Sequence, residues 1–414
     1  MRCDRISGAG RGTHVVRGPA SLPGGGNDRA EEGSVESPDV GQVGRKATCG
    51  PIVNRPARRL TIAAQDTILP HAGPATAFMN FGGPQGHGDR PGGPPRLTRR
   101  EWAVAAGAAV LGGCGKTSAI EPSLVSIVRA PEYDGRIYQT VRGLLAEHQL
   151  QVRGRNVLLK PNLVEFEPQS AINTNPLLVH AVYEGFRALG AASVRIAEGP
   201  GHRRNTLDLA DAAGYFGVVP RFEDVFVDLN LDDVRQVRPP HPISGLRKWY
   251  LPKTALGADL LVSIPKMKTH HWVGVTLSAK NLFGVMPGGV YGWPKNPLHW
   301  AGIDECIADL HGLFPRQFAI VDGIVGMEGN GPIQGAPKRV GVLVAGRDPV
   351  AVDATCCRIM AVDPLKIRYL LLSAGQDSHI MERNIRQCGE SIASVATPFR
   401  LIPEFQRIRL EKRV

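Results

Sequence analysis

The sequence predicts an α/β fold: a mostly parallel sheet covered by helices on both faces, with a small hairpin excursion. Three observations predict it. From residue 122 onward, short apolar runs alternate with amphipathic stretches, as strands joined by crossover helices do. Several runs, NVLLKPN, DLLVSIP and RVGVLVAG among them, are apolar at consecutive positions, which suits strands buried on both faces. Charged and amide residues recur at the C-terminal ends of these runs, where an open sheet of this type collects its ligands.

The elements follow in order. SLVSIVRA reads as a strand, Gly135 to His148 as a helix, and NVLLKPN as a strand ending in a Lys-Pro-Asn turn. Asn175 is placed to cap a helix that has Pro176 at its first position and closes at Leu189-Gly190. SVRIAEG and DVFVDLN are strands around a short helix from Leu207 to Ala213. The polar, proline-rich stretch Asp232 to Leu251 offers VRQVRPP and LRKWYLP as hairpin arms. DLLVSIP is a strand, a glycine-rich loop spans Met286 to Pro297, and a helix runs from Ala301 to Leu313. FAIVDG and RVGVLVAG are the last predicted strands, followed by helices from Val350 to Met360 and Pro364 to Ala374.

At 414 residues and 43% hydrophobic content the chain can bury a large core. The net charge of +11 is spread out: residues 1–114 hold 14 basic and 9 acidic residues, and residues 115–414 hold 35 and 29. Nucleic-acid binding needs clustered basic charge with aromatic interleaving, so no nucleic-acid partner is expected. Dinucleotide and nucleoside triphosphate chemistry is disfavoured because neither a Rossmann nor a P-loop phosphate signature is present.

Residues 1–78, rich in Gly, Arg and Pro and without apolar periodicity, read as a disordered or untranslated extension, with Met79 as the start. Residues 79–114 read as a twin-arginine export signal: Arg99-Arg100 precedes the weakly apolar run Ala103 to Leu111, and Leu111-Gly112-Gly113-Cys114 is similar to a lipoprotein box. The apolar segment is too short to span a bilayer of ~30 Å. The expectation is a periplasmic or cell-envelope lipoprotein that touches the membrane only through a lipid on Cys114. Residues 115–380 form the predicted α/β domain and 381–414 a C-terminal extension. In the domain, Cys306, Cys356, Cys357 and Cys388 show no metal-site spacing. The adjacent Cys356 and Cys357 read as small buried hydrophobes.

The richest segment is IPKMKTHHWVGVTLSAKNLFG, Ile264 to Gly284. Lys266, Lys268 and Lys280 offer cationic donors, and the amides of Asn162 and Asn281 can orient a ligand. With Lys160 from an earlier strand end, they suit a carboxylate or phosphate. His270, or its neighbour His271, is suited to general base chemistry near neutral pH, with Lys268 and Lys280 beside it. Glu198, Asp322 and Glu328 with a histidine would instead suit a divalent metal.

The order of KPNLV at Lys160 to Val164, EGPG at Glu198 to Gly201, PKMKTH at Pro265 to His270, GVTLSAKNLFG at Gly274 to Gly284, DGIVGMEGNGP at Asp322 to Pro332 and GRDPVAVDA at Gly346 to Ala354 resembles domain-of-unknown-function family 362. That family has no settled reaction, and some members carry or accompany ferredoxin-type iron-sulfur segments. This chain lacks a cysteine-rich ferredoxin run, so no intrinsic iron-sulfur cluster is expected and a redox role would need a partner. Two functions follow as expectations. One is an enzyme acting on an anionic small molecule by acid/base or redox chemistry, with or without a divalent metal. The other is a non-catalytic, membrane-tethered binding or electron-transfer accessory protein.

Overall fold

The computed structural model describes residues 121–374 and 379–411. The proposed export signal and Cys114 lie outside the described residues. Twelve described strands run β1 Ser123–Arg129, β2 Asn156–Pro161, β3 Ser193–Glu198, β4 Phe226–Asp228, β5 Val234–Val237, β6 Trp249–Pro252, β7 Leu260–Ile264, β8 Lys266–His270, β9 Gly274–Thr276, β10 Gln317–Glu328, β11 Ala336–Gly346 and β12 Ile385–Gly389. The main sheet has the order β12-β1-β11-β10-β7-β2-β3-β4, with β8 added beside β10 and β9 beside β8. Neighbours along this order pair in parallel except at β11, which is antiparallel to both β1 and β10. The fold is therefore α/β with a mostly parallel mixed sheet. The predicted hairpin excursion forms a separate antiparallel pair, β5 and β6.

Consecutive apolar residues are needed because both faces are covered. Along β10, Phe318 and Ile320 point into one core while Ala319 and Val321 point into the other, and β11 divides Leu343 and Ala345 from Val342 and Val344 in the same way. Helices Ile137–Glu147 and Pro176–Ala188 pack on the first face; Ile303–Leu313 and Pro349–Ile359 pack on the second. Asn175 caps its helix as expected, its side chain accepting from the Leu177 N–H.

Two features depart from expectation. The stretch set apart as a C-terminal extension contributes β12, a parallel edge strand beside β1, so residues beyond 380 belong to the same sheet. FAIVDG lies in the first half of a longer strand, β10, and RVGVLVAG is the last part of β11; the end of β10 and the start of β11 continue as an antiparallel arm past an irregularity between Gly323 and Val325. This arm carries residues 329–335 to the C-terminal edge of the sheet.

Candidate functional site

The segment Ile264 to Gly284 folds back on itself. Beyond Pro265, β8 pairs with β9 through Lys268↔Thr276 and His270↔Gly274, and the chain then makes one helical turn, Ser278–Asn281. That turn is held from beneath by Asp353 of the helix Pro349–Ile359. Its two carboxylate oxygens accept the Ser278 and Ala279 N–H groups at 2.8 and 3.0 Å. Burial pushes the Asp353 carboxyl up to about 7 despite these bonds. Lys280 and Asn281 are thus fixed by a carboxylate that reaches the site only through the backbone.

A cavity of about 900 Å³ opens at the C-terminal ends of β2, β3 and β8. Lys160, Asn162, Glu198, Lys268, His270, Lys280 and Asn281 all line it. Lys266, Asp322 and Glu328 do not. Lys266 donates to Asp322 at 2.6 Å and to the Tyr133 hydroxyl at 2.9 Å. Asp322 also accepts from Tyr133 and from the Asn175 and Ile324 N–H groups. Glu328 lies on the far arm and accepts the Arg400 N–H, with Lys338 at 3.4 Å.

The hydrogen bonds separate the residues that shape the cavity from those left open within it. Lys160 uses all three ammonium donors, on Pro161 O, Glu198 Oε2 and Asn281 Oδ1. Glu198 is met by Lys160 and by the Leu163 and Gly199 N–H groups. Asn281 donates to Lys160 O and Ser263 Oγ. These three, expected to hold a ligand or metal, are occupied with one another and build the wall. With Glu198, Asp322 and Glu328 each satisfied in a separate place, they do not fit a shared divalent ion. Among the described residues no three His, Cys, Asp or Glu side chains are grouped to hold one.

Three lysines lack such compensation. Among the described residues, Lys268 donates only to the carbonyls of Ile172 at 2.9 Å and Pro332 at 3.3 Å. Among the same residues, Lys295 donates only to those of Gly199 at 2.6 Å and Phe283 at 3.4 Å. Lys280 has no hydrogen-bond partner among the described residues and lies 4.2 Å over the Phe283 ring. Burial lowers all three and neighbouring ammonium groups lower them further, while the Glu198 carboxylate offsets this only in part. Lys268 falls well below its ordinary value, Lys280 to about 8 and Lys295 to about 7. Buried polar atoms without partners face the same region: Asn162 Oδ1, Thr276 Oγ1 and His299 Nδ1.

The adjacent histidines differ. His270 Nδ1 accepts the Trp272 N–H at 3.0 Å. Burial and the lysines hold this ring well below its usual pKa, so it is neutral and carries its proton on Nε2. His270 therefore offers the cavity a donor and not the basic lone pair expected of it. His271 Nδ1 lies 2.7 Å from Gly331 O, which fixes the hydrogen on Nδ1 and leaves the lone pair of the neutral ring on Nε2.

Lys295, His299 and Trp272 were not among the expected site residues. Lys295 and His299 sit in and just after the glycine-rich loop, where no periodicity marks them. Trp272 was within the quoted motif but carried no charge signal. Gly284 matters sterically: a Cβ there would collide with Glu198 Oε1 and Lys160 Nζ, so this glycine lets the backbone pass over the ion pair.

Residues 157–358 match the family described as Domain of unknown function (DUF362). A thylakoid-associated protein of Synechocystis is 29% identical over 257 residues, covering 59% of this chain and 76% of that protein. Among solved structures, the lactate racemase apoprotein of Thermoanaerobacterium thermosaccharolyticum aligns with a TM-score of 0.36 and 15% identity, over 58% of each chain.

Proposed function

We propose that the protein binds an anionic small molecule, a carboxylate or phosphate, in this cavity and carries out acid–base chemistry on it. The observation that supports the reading is the set of three lysines, Lys268 and Lys295 buried and Lys280 half-buried, gathered around one cavity with no carboxylate among the described residues bonded to any of them. A buried cation without a countercharge is costly, and an anionic ligand supplies what the protein withholds. Lys268 and Lys295 each keep one ammonium hydrogen for that ligand and Lys280 keeps three. His270 Nε2–H would orient it, and the open Asn162 Oδ1 would accept from a donor elsewhere on the ligand.

For proton transfer, Lys280 at about 8 exchanges readily near neutral pH, and His271 Nε2 offers a second acceptor. Calorimetric titration with acetate and with inorganic phosphate tests the binding step. At least one should bind, and Lys268→Gln should abolish binding without lowering the melting temperature by more than a few degrees. Binding of neither would overturn the site. Deuterium wash-in from D2O at the carbon next to the bound carboxylate tests the acid–base step; its absence across a panel of carboxylic acids would reduce the role to binding.

On sequence alone we also propose export through the twin-arginine route with lipidation at Cys114. The mass of the mature N-terminus tests this, and an unprocessed cytosolic chain would overturn it.

A further inference from the structure

The cavity pairs a buried charged floor with a mouth that bears an apolar stripe. Its floor is charged and buried: Lys160 and Lys268 are 0% exposed, Glu198 1% and Lys295 3%, with Lys280 half-buried beside them. The lining nearest to water is mixed: the exposed polar residues Asn330, Gln334 and Glu404 stand beside an apolar stripe. Trp272 is 56% exposed, Pro294 and Pro403 are exposed, and Val164, Ile333 and Ile402 are half-buried.

The mouth is also held in shape. The Trp272 ring stands edge-on to His299, with centroids 4.7 Å apart at 72°, and edge-on to His271 at 4.8 Å. An exposed tryptophan that already has two ring partners is a prepared wall. Burial holds His299 down at about 4, so at neutral pH it serves as an uncharged ring. The volume, about 900 Å³, falls at the upper end of the ~300–1,000 Å³ of pockets that enclose drug-sized molecules. It far exceeds the space one acidic group requires.

We infer that the ligand is an amphipathic acid: its anionic group descends to Lys268, Lys280 and Lys295, and an extended apolar body lies along Trp272, Ile333 and Ile402 toward the mouth. This rests on the anion reading above and adds the substrate class to it. An acyl chain and a fused ring share the chemistry that this mouth recognises.

The test titrates the full chain with straight-chain carboxylates from acetate to decanoate below their micellar concentrations, followed by tryptophan fluorescence and calorimetry. Decanol and 2-naphthoate are run beside them. Affinity should rise about threefold to fourfold per methylene, Trp272→Ala should flatten the series, and Lys280→Met should weaken every acid by a similar factor. Tighter binding of naphthoate than of decanoate would assign a ring as the body, and the converse an acyl chain; either supports the inference. A series independent of chain length would overturn it while leaving the anion site intact. Failure of every acid to bind, or decanol binding as tightly as decanoate, would overturn the anion reading beneath it.

Discussion

Lys266 and Lys268 stand two residues apart on one strand, both desolvated, in opposite surroundings. Lys266 meets Asp322 at 2.6 Å and a tyrosine hydroxyl at 2.9 Å, and Asp322 is itself satisfied by four donors. Lys268 meets two backbone carbonyls and no carboxylate. The first neighbourhood is closed and the second is open. Residue type and burial are the same in both, so neither distinguishes a structural lysine from a functional one. What distinguishes them is which hydrogen-bonding capacity the protein leaves unused.

The sharpest way to break the closed side is Asp322→Ala, which strands a buried ammonium. Loss of one partner of a buried pair costs ~3–5 kcal/mol, so the urea midpoint should fall steeply. A change below ~1 kcal/mol would show that the pair contributes as little as a surface one. On the open side, Lys280→Met removes a cation that has no hydrogen-bond partner among the described residues. Anion affinity should fall about tenfold to a hundredfold, the worth of a charged hydrogen bond, while the melting temperature holds or rises. A parallel fall in stability would move Lys280 to the closed class.

The most diagnostic prediction concerns pH. Lys295 and Lys280 lose their protons near 7 and 8, so anion affinity should be greatest below pH 7. It should then decline by about tenfold per pH unit for each lysine that must be charged. Stability of the unliganded protein moves the other way. Both folded values lie below the ordinary 10.5, so between about 7 and 10.5 the unfolded chain holds more protons. These groups then make the fold more stable as pH rises. Calorimetry and denaturation across pH 6–9 should show opposed trends, and parallel trends would refute the open assignment.

Much of the sheet was legible because strands buried on both faces leave uninterrupted apolar runs, as in β2, β7 and β11. β12 was not, because a short parallel edge strand is recognised only by its distant partner β1. Within the site, Lys268, Lys280 and Asn162 were legible from their position at strand ends. The pairing of Lys160 with Glu198, 38 residues on, and of Lys266 with Asp322, 56 residues on, was not. Sequence separation does not say which opposite charges meet. Lys295 lay deeper still, contacting Gly199 across 96 residues from a loop without periodicity. The tautomer of His270 depended on a single local N–H, that of Trp272.

The turn between β10 and β11 has an evolutionary consequence. Its first part is stitched to β8: Thr269 Oγ1 donates to Gly329 O at 2.8 Å and the His271 N–H to Gly331 O at 3.0 Å. The next residues, Pro332, Ile333 and Gln334, form part of the cavity lip, and Gln334 is exposed. Insertions at that point would lengthen or shorten the rim while leaving the lysines where they are. Relatives can therefore inherit one device for gripping charge and diverge in the length of molecule they admit, as tools that share a handle accept different blades.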